Sequence, residues 1–226
     1  MLTFEQKQAL MELLPDFHLM AEPQYAAQLK GIGVVDAATP DEILAAHELG
    51  LNRREIFYAA PNKERMDETL DKCRIVANSM EELIAINEAA AAFAQGGHLI
   101  MVGLRLAAED FPGKPALGMT TDELRQIVHD IKQLKNISVC GCIVEADLTG
   151  RHGKALGKFV RATYRTAKSM TYILPCSMPY ICISGLLEAM AKNQAEHPET
   201  FQEFLQEASV VGMQNTTAFY ADYYVM

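Results

Sequence analysis

From Gly31 to Lys63 short apolar blocks flank one amphipathic segment. Val34–Asp36 is an apolar run that ends in an acid, which reads as a strand. Thr39-Pro40-Asp41-Glu42 opens a helix: Thr39 can cap it, Pro40 suits its first position, and the two acids suit the positive end of its dipole. Ile43, Leu44, His47, Leu49 and Leu51 form one face of that helix, and Gly50 stops it. Ile56–Ala60 is a second buried strand, closed by Pro61 and Asn62. A strand, helix and strand this closely spaced predict parallel pairing through a right-handed crossover.

The same alternation runs through the rest of the chain. Residues 3–14 predict a helix capped by Thr3, and Asp16–Ala21 is the first strand. Pro23 opens a short helix, and Lys63–Lys72 predicts a charged one. Cys73–Asn78 is a fourth strand, Ser79 caps the helix that follows it, and Leu99–Leu106 is a fifth strand. Ala107–Met119, with two prolines and two glycines, is a loop. Leu124, Ile127, Val128, Ile131 and Leu134 keep helical spacing behind Thr120 or Thr121, and His129 lies beside that face. Ile137–Glu145 is a sixth strand. A basic helix is predicted over Ala155–Lys168, and Met170–Leu174 and Tyr180–Ser184 are short apolar runs around Pro175 and Pro179. Helices over Gly185–Asn193 and Glu199–Ala208 precede a last strand at Ser209–Met213. About eight strands alternating with helices predict an α/β protein, a single (β/α)8 TIM-like barrel over residues 1–226. No Gly-x-Gly-x-x-Gly follows the first strand, which disfavours a dinucleotide fold.

Composition narrows the partners. The net charge of −9 argues against nucleic acid or an anionic membrane as the main partner. No segment approaches the length of a membrane span, and the N-terminus lacks a signal-peptide pattern, so the expected location is the cytoplasm. Cys73, Cys140, Cys142, Cys176 and Cys182 read as buried free thiols, with Cys140 and Cys142 on one face of one strand. No Cys-x-x-Cys or nearby histidine pair completes a metal site.

Five linked segments carry a family resemblance: GVVDAATPDEILAAHELGL, REIFYAAPNK, CRIVANSMEELIAINEAA, VGLRL and LGMTTDEL. Through them residues 31–145 resemble the PLP-binding barrel domain of the pyridoxal-phosphate-dependent ornithine and diaminopimelate decarboxylases, the alanine-racemase-like barrels. The resemblance implies pyridoxal phosphate (PLP) held as a Schiff base by a lysine near the end of the first strand. That amine forms the internal aldimine and later moves protons. Here there is no lysine between Lys7 and Lys30, so a Schiff base is not expected.

Other family positions differ as well. The family's strand end with the ring-stacking histidine corresponds to Cys142–Glu145, where an acid takes the end, the glycine-rich phosphate loop is reduced to Ile183–Leu187 with Ser184 and Gly185, and the glutamate and Pro-Gly-Arg stretch falls near Met213–Thr216. The chain ends where the family's C-terminal β-domain would begin. Asp36, Arg105, Gly118, Asn62 and Lys63 match family positions. Arg105, Asp36, Ser184 and Gly185 are the candidate cofactor-binding residues, the last two by backbone amides at a helix start. Structural roles compete: Gly118 as a turn, Asn62 as a strand-end cap, and Asp36 with Arg105 as a salt bridge in the barrel mouth.

Read without the family, His18 and Glu22 at the first strand, Asp36 and Glu145 are acids and an imidazole where barrel chemistry gathers, and they suit a divalent metal or an acid/base pair. Glu145 and His18 are the catalytic candidates if the protein is an enzyme. Ser184 lacks a Gly-x-Ser-x-Gly context. The basic run Arg151–Lys168 reads as a solvated helix face or as a surface for phosphate or an acidic partner. Phe219, Tyr220, Tyr223 and Tyr224 form an aromatic tail that association would cover, and a homodimer is the simplest way. Two functions are expected. One is a degenerate relative without Schiff-base catalysis, binding a small phosphorylated or carboxylate ligand or a regulatory partner. The other is a decarboxylase- or racemase-type enzyme with non-covalent PLP or a metal in the barrel mouth.

Overall fold

Side-chain caps mark where four of the described helices begin. In the computed structural model, which describes residues 2–93, 98–107, 118–145, 148–174, 176–183, 185–212 and 218–221, Thr3, Thr39 and Thr120 each cap a helix with a reciprocal glutamine or glutamate three residues on. These helices are α1 (Phe4–Glu12), α3 (Pro40–Glu48) and α6 (Thr121–Ile131). The short α2 is Ala26–Leu29, α4 is Met66–Thr69, and α5 is Met80–Ala90 behind Ser79. The last three helices are α7 (Gly153–Ile173), α8 (Leu186–Glu196) and α9 (Pro198–Gly212). The strands are β1 (Phe17–Ala21), β2 (Gly33–Ala37), β3 (Ile56–Tyr58), β4 (Arg74–Ala77), β5 (Ile100–Ala107), β6 (Ile137–Glu145), β7 (Ser177–Ile183) and β8 (Ala218–Ala221).

This is a parallel α/β fold. The strands follow one another in chain order, each parallel to its neighbours, and β8 pairs with both β7 and β1. Strand alternation sorts the apolar side chains into two layers. Leu19, Val35, Ile75, Leu104, Val144 and Ile181 join the larger layer beneath the helices. Met20, Val34, Phe57, Val76, Ile143 and Tyr180 fill the interior.

Several elements differ from the sequence reading. His47 and Leu49 are exposed, and Ile43 and Ala46 form the buried face of α3. The charged helix expected over Lys63–Lys72 is the single turn α4. The run at Met170 continues α7, because Ala167 and Met170 extend that helix's buried stripe. Ser209–Gly212 belongs to α9, and the eighth strand is Ala218–Ala221. Phe219 and Tyr220 therefore sit in a strand between β7 and β1 rather than in a tail, while Tyr223, Tyr224 and Met213–Thr216 lie outside the described residues. All five cysteines are free, four of them buried.

Cys140 and Cys142 do not share a face. Against β5, strand β6 carries one extra residue at this point: Val102 pairs with Val139 and Leu104 with Cys142, so Cys140 and Gly141, the latter at φ +69°, face Gly103 alone. Cys140 joins the interior and Cys142 the layer beneath the helices. The bulge also makes room for a ring. A Cβ on Gly141 would lie within 2.6 Å of three Tyr180 ring atoms, and one on Gly103 would collide with the Tyr180 hydroxyl. Phe57 packs edge-on to the same ring at 5.0 Å.

Gly141→Ala is therefore expected to cost about 3 kcal/mol, from overpacking and from a strained backbone. In a Tyr180→Ala background the cost should fall to about 1–2 kcal/mol, the part owed to positive φ. Urea unfolding of the four proteins of this double-mutant cycle measures both values.

Candidate functional site

In parallel α/β sheets of this kind the chemistry gathers at the carboxyl ends of the strands. Alternation places Asp36 (β2), Arg105 (β5) and Asn78, the residue after β4, on the inner face at that end. Arg105 is fully buried, and its Nη2 donates to the Ala59 carbonyl at 3.2 Å. Gly118 closes over it. Met119 N donates to the Arg105 carbonyl at 2.9 Å, and a Cβ on Gly118 would press on Arg105 Cγ at 3.0 Å. With φ at +108°, the glycine matched by family resemblance is required here both for conformation and for space.

Asn78 extends the network. Its Nδ2 donates to the same Ala59 carbonyl at 3.3 Å and to the Glu82 carboxylate at 3.0 Å. Its backbone N–H also donates to Glu82, at 3.0 Å. Both partners of Nδ2 are acceptors, which fixes the amide's orientation. Asn78 Oδ1 is then a buried acceptor with no hydrogen-bond partner among the described residues.

Glu82, in the first turn of α5, also takes Lys63 Nζ at 2.6 Å. Lys63 donates to the Ala60 carbonyl at 2.9 Å, and its side chain is 2% exposed. Burial pulls this amine below the ordinary lysine value, although Glu82 opposes the shift. Burial acts on Glu82 in the raising direction, but Lys63 and the Asn78 N–H groups outweigh it, so its carboxyl lies below the usual range. Burial pushes the nearby Cys73 thiol up to about 12, so it is no nucleophile at neutral pH. A second amine reaches the end of β1 from outside the sheet: Lys7, fully buried in α1, pairs with Glu22.

The structure thus brings Arg105 and Asp36 to one end and separates His18 from them. His18 is the second residue of β1 and exposed, so it lies at the amino ends of the strands, beside Gly31, Asn52 and Arg54. Glu145 ends β6 in register with Ala107, at the Arg105 end, and its side chain lies outside the described residues. Ser184 is likewise outside them, and Gly185 is the cap residue of α8. No group of three His, Cys, Asp or Glu side chains among the described residues is placed to hold a metal ion. The basic helix α7 is partly neutralised by Glu207 of α9, which pairs with Arg161 at 2.5 Å. No described helix is long and apolar enough to cross a membrane. Sequence reasoning missed Lys7, Asn78 and Glu82. Ser79-x-x-Glu82 was visible as a cap signal, but Glu82 turns its carboxylate to Asn78 and Lys63.

Glu82→Ala should destabilise by about 2–3 kcal/mol, since it strands a buried ammonium beside a partly exposed site, whereas Lys63→Met should cost under about 1 kcal/mol. Because the Glu82 pKa is lowered on folding, its contribution is complete at neutral pH and is lost as the pH falls through the carboxylate range. Denaturant unfolding at pH 7 and pH 4 checks this: the cost of Glu82→Ala should be smaller at pH 4.

No family model and no curated protein matches this chain by sequence. Solved structures resemble it in fold. It superposes on the arginine decarboxylase of Paramecium bursaria Chlorella virus with a TM-score of 0.67 at 16% identity, covering 97% of this chain and 60% of that one. The ornithine decarboxylase of Entamoeba histolytica gives 0.67 at 17% identity, with 97% and 62% covered. Diaminopimelate decarboxylase from Helicobacter pylori, complexed with L-lysine, gives 0.68 at 14% identity, with 97% and 61% covered. The chain therefore spans about three-fifths of the length of these enzymes. Its parallel α/β fold is that of the pyridoxal-phosphate-dependent, fold type III decarboxylases.

Proposed function

We propose that this chain is a degenerate relative of the PLP-dependent decarboxylases, a complete (β/α)8 barrel of the PLP-binding type that binds a small anion or a regulatory partner without Schiff-base catalysis. The observation that carries this reading is the end of β1. Its last inner position is Met20, fully buried among apolar side chains, and Glu22, just beyond the strand, is engaged by Lys7. The described residues do not fit a covalently attached aldehyde cofactor: the position lacks an amine, and the two buried lysines at this end are each matched by a carboxylate. Asn78 Oδ1 supports ligand binding, since a buried acceptor without a donor is costly and a ligand N–H or O–H would relieve it. Arg105 would supply the cation, and a small phosphorylated or carboxylate compound the anion. Neither nucleic acid nor a membrane belongs to this reading, and a cytoplasmic homo-oligomer does.

The second reading is an enzyme of decarboxylase or racemase type, with non-covalent PLP or a metal worked by Arg105, Asp36 and Glu145. The placement of Asp36 and Arg105 on one inner face favours it. His18 has no part in it, because it lies at the opposite end.

One experiment separates these readings from covalent catalysis. Purified protein is incubated with pyridoxal phosphate, reduced with borohydride, digested and mapped by mass spectrometry. The expected result is no stoichiometric adduct. A full adduct at Lys63 or Lys7 overturns both readings. Co-purification of a metal or a visible-absorbing cofactor selects the second.

A further inference from the structure

The amino ends of the strands hold a feature that no family property explains. A cavity of about 430 Å3 opens there, and Arg53, Arg54 and Arg74 all line it. Arg53 and Arg54 lie in the turn before β3, and Arg74 is the first residue of β4. Met101, near the start of β5, and Cys140 and Tyr180, from β6 and β7, form its inner wall. An adjoining hollow of about 240 Å3 shares Arg54 and Arg74 and adds His18 and Glu55.

Three other arginines of this acidic chain hold carboxylates: Arg65 holds Asp41 and Glu68, Arg125 holds Asp122, and Arg161 holds Glu207. Arg53 and Arg54 form no ion pair among the described residues. Glu55 is close, but its carboxylate accepts from the backbone N–H groups of Gly31 at 3.1 Å and Asn52 at 2.8 Å. Arg74 is positioned from below. Its guanidinium lies 5.1 Å from the Phe57 ring and 4.9 Å from the Tyr180 ring. The arginines are felt inside the cavity: burial pushes the Cys140 thiol up to about 11, and Arg74 and Arg53 oppose that rise.

Three like charges around one concavity repel each other, and an anion removes the repulsion. Guanidinium forks match the oxygens of phosphate and carboxylate, and an arginine already stacked on rings loses little freedom on binding. The wall of Met101, Pro179 and Tyr180 is apolar and suits a carbon skeleton. We propose that this amino-end cavity is a binding site for a small organic dianion, a phosphate monoester with an apolar body, held by Arg53, Arg54 and Arg74 over Tyr180. The site lies at the far end of the sheet from Arg105 and Lys63, and it stands whichever reading of that end is right.

Phenyl phosphate is a suitable probe, with phenol as the uncharged control and benzoate as the monoanion. Titration into full-length protein labelled with 13C-methyl methionine should shift the Met101 resonance, assigned through M101L, and leave Met119 beside Arg105 unmoved. Isothermal titration should show saturable binding that weakens with added salt, weaker benzoate and no phenol binding. R53A/R54A, two exposed positions, should fold normally by circular dichroism and bind phenyl phosphate about tenfold more weakly or worse. Unchanged affinity in R53A/R54A, benzoate bound more tightly than phenyl phosphate, or a shift at Met119 without one at Met101 would overturn the proposal. Failure of this site leaves the borohydride result untouched, so the two tests fail separately.

Discussion

A tyrosine ring inside a small parallel sheet has to be given room, and here Gly103 and Gly141 give it. Tyr180 occupies the space two missing Cβ atoms leave, and Phe57 seals its edge. Much follows from that one fit. The bulge at Gly141 shifts the β5–β6 register and turns Ile143 inward after Cys140. The ring becomes the surface on which Arg74 rests. It also bounds the cavity at the amino ends of the strands. Without it the interior would carry a void where it now has a rigid partition, and a void of ring size destabilises by several kcal/mol.

At the other end the organising group is the Ala59 carbonyl. It accepts from Arg105 and from Asn78, and so ties β5 and β4 to the end of β3. Glu82 continues the chain of bonds to Lys63, which returns to Ala60. Fully satisfied, such a network makes its end of the sheet rigid; the open acceptor of Asn78 is a place where it asks for something more. The two ends thus differ in kind. One is a bonded lattice of mixed charge around an open acceptor, and the other a cationic concavity with an apolar wall.

Local chemistry was legible in the sequence where it acts over a few residues. Thr3, Thr39, Ser79 and Thr120 announce their helices because a cap is a three-residue device. The alternation that predicts a parallel α/β fold is equally local. What escaped depends on more distant partners. Nothing near Gly141 says that Tyr180, far along the chain, needs its space, so the faces of Cys140 and Cys142 were misassigned. Ser209–Gly212 is as apolar as a strand, but packing of α9 on α7 keeps it helical. His18 was read toward the carboxyl end for its chemistry, whereas its place as the second residue of β1 puts it at the amino end. Lys7 and Glu22 lie fifteen positions apart, beyond any spacing rule.

The pairing of β8 with β1 carries a consequence for how the chain assembles. Every other strand pairs with its neighbour in sequence, so each pairing forms within a short stretch as the chain is made. Phe17 opposite Phe219 joins residues about 200 positions apart. Closing so long a loop has a large entropic cost, and slow steps in folding usually belong to such contacts. Until it forms, β1 and β8 each present an unpaired edge, the state in which strands of different molecules find each other. The sheet is therefore most exposed to misassociation before β8 pairs with β1.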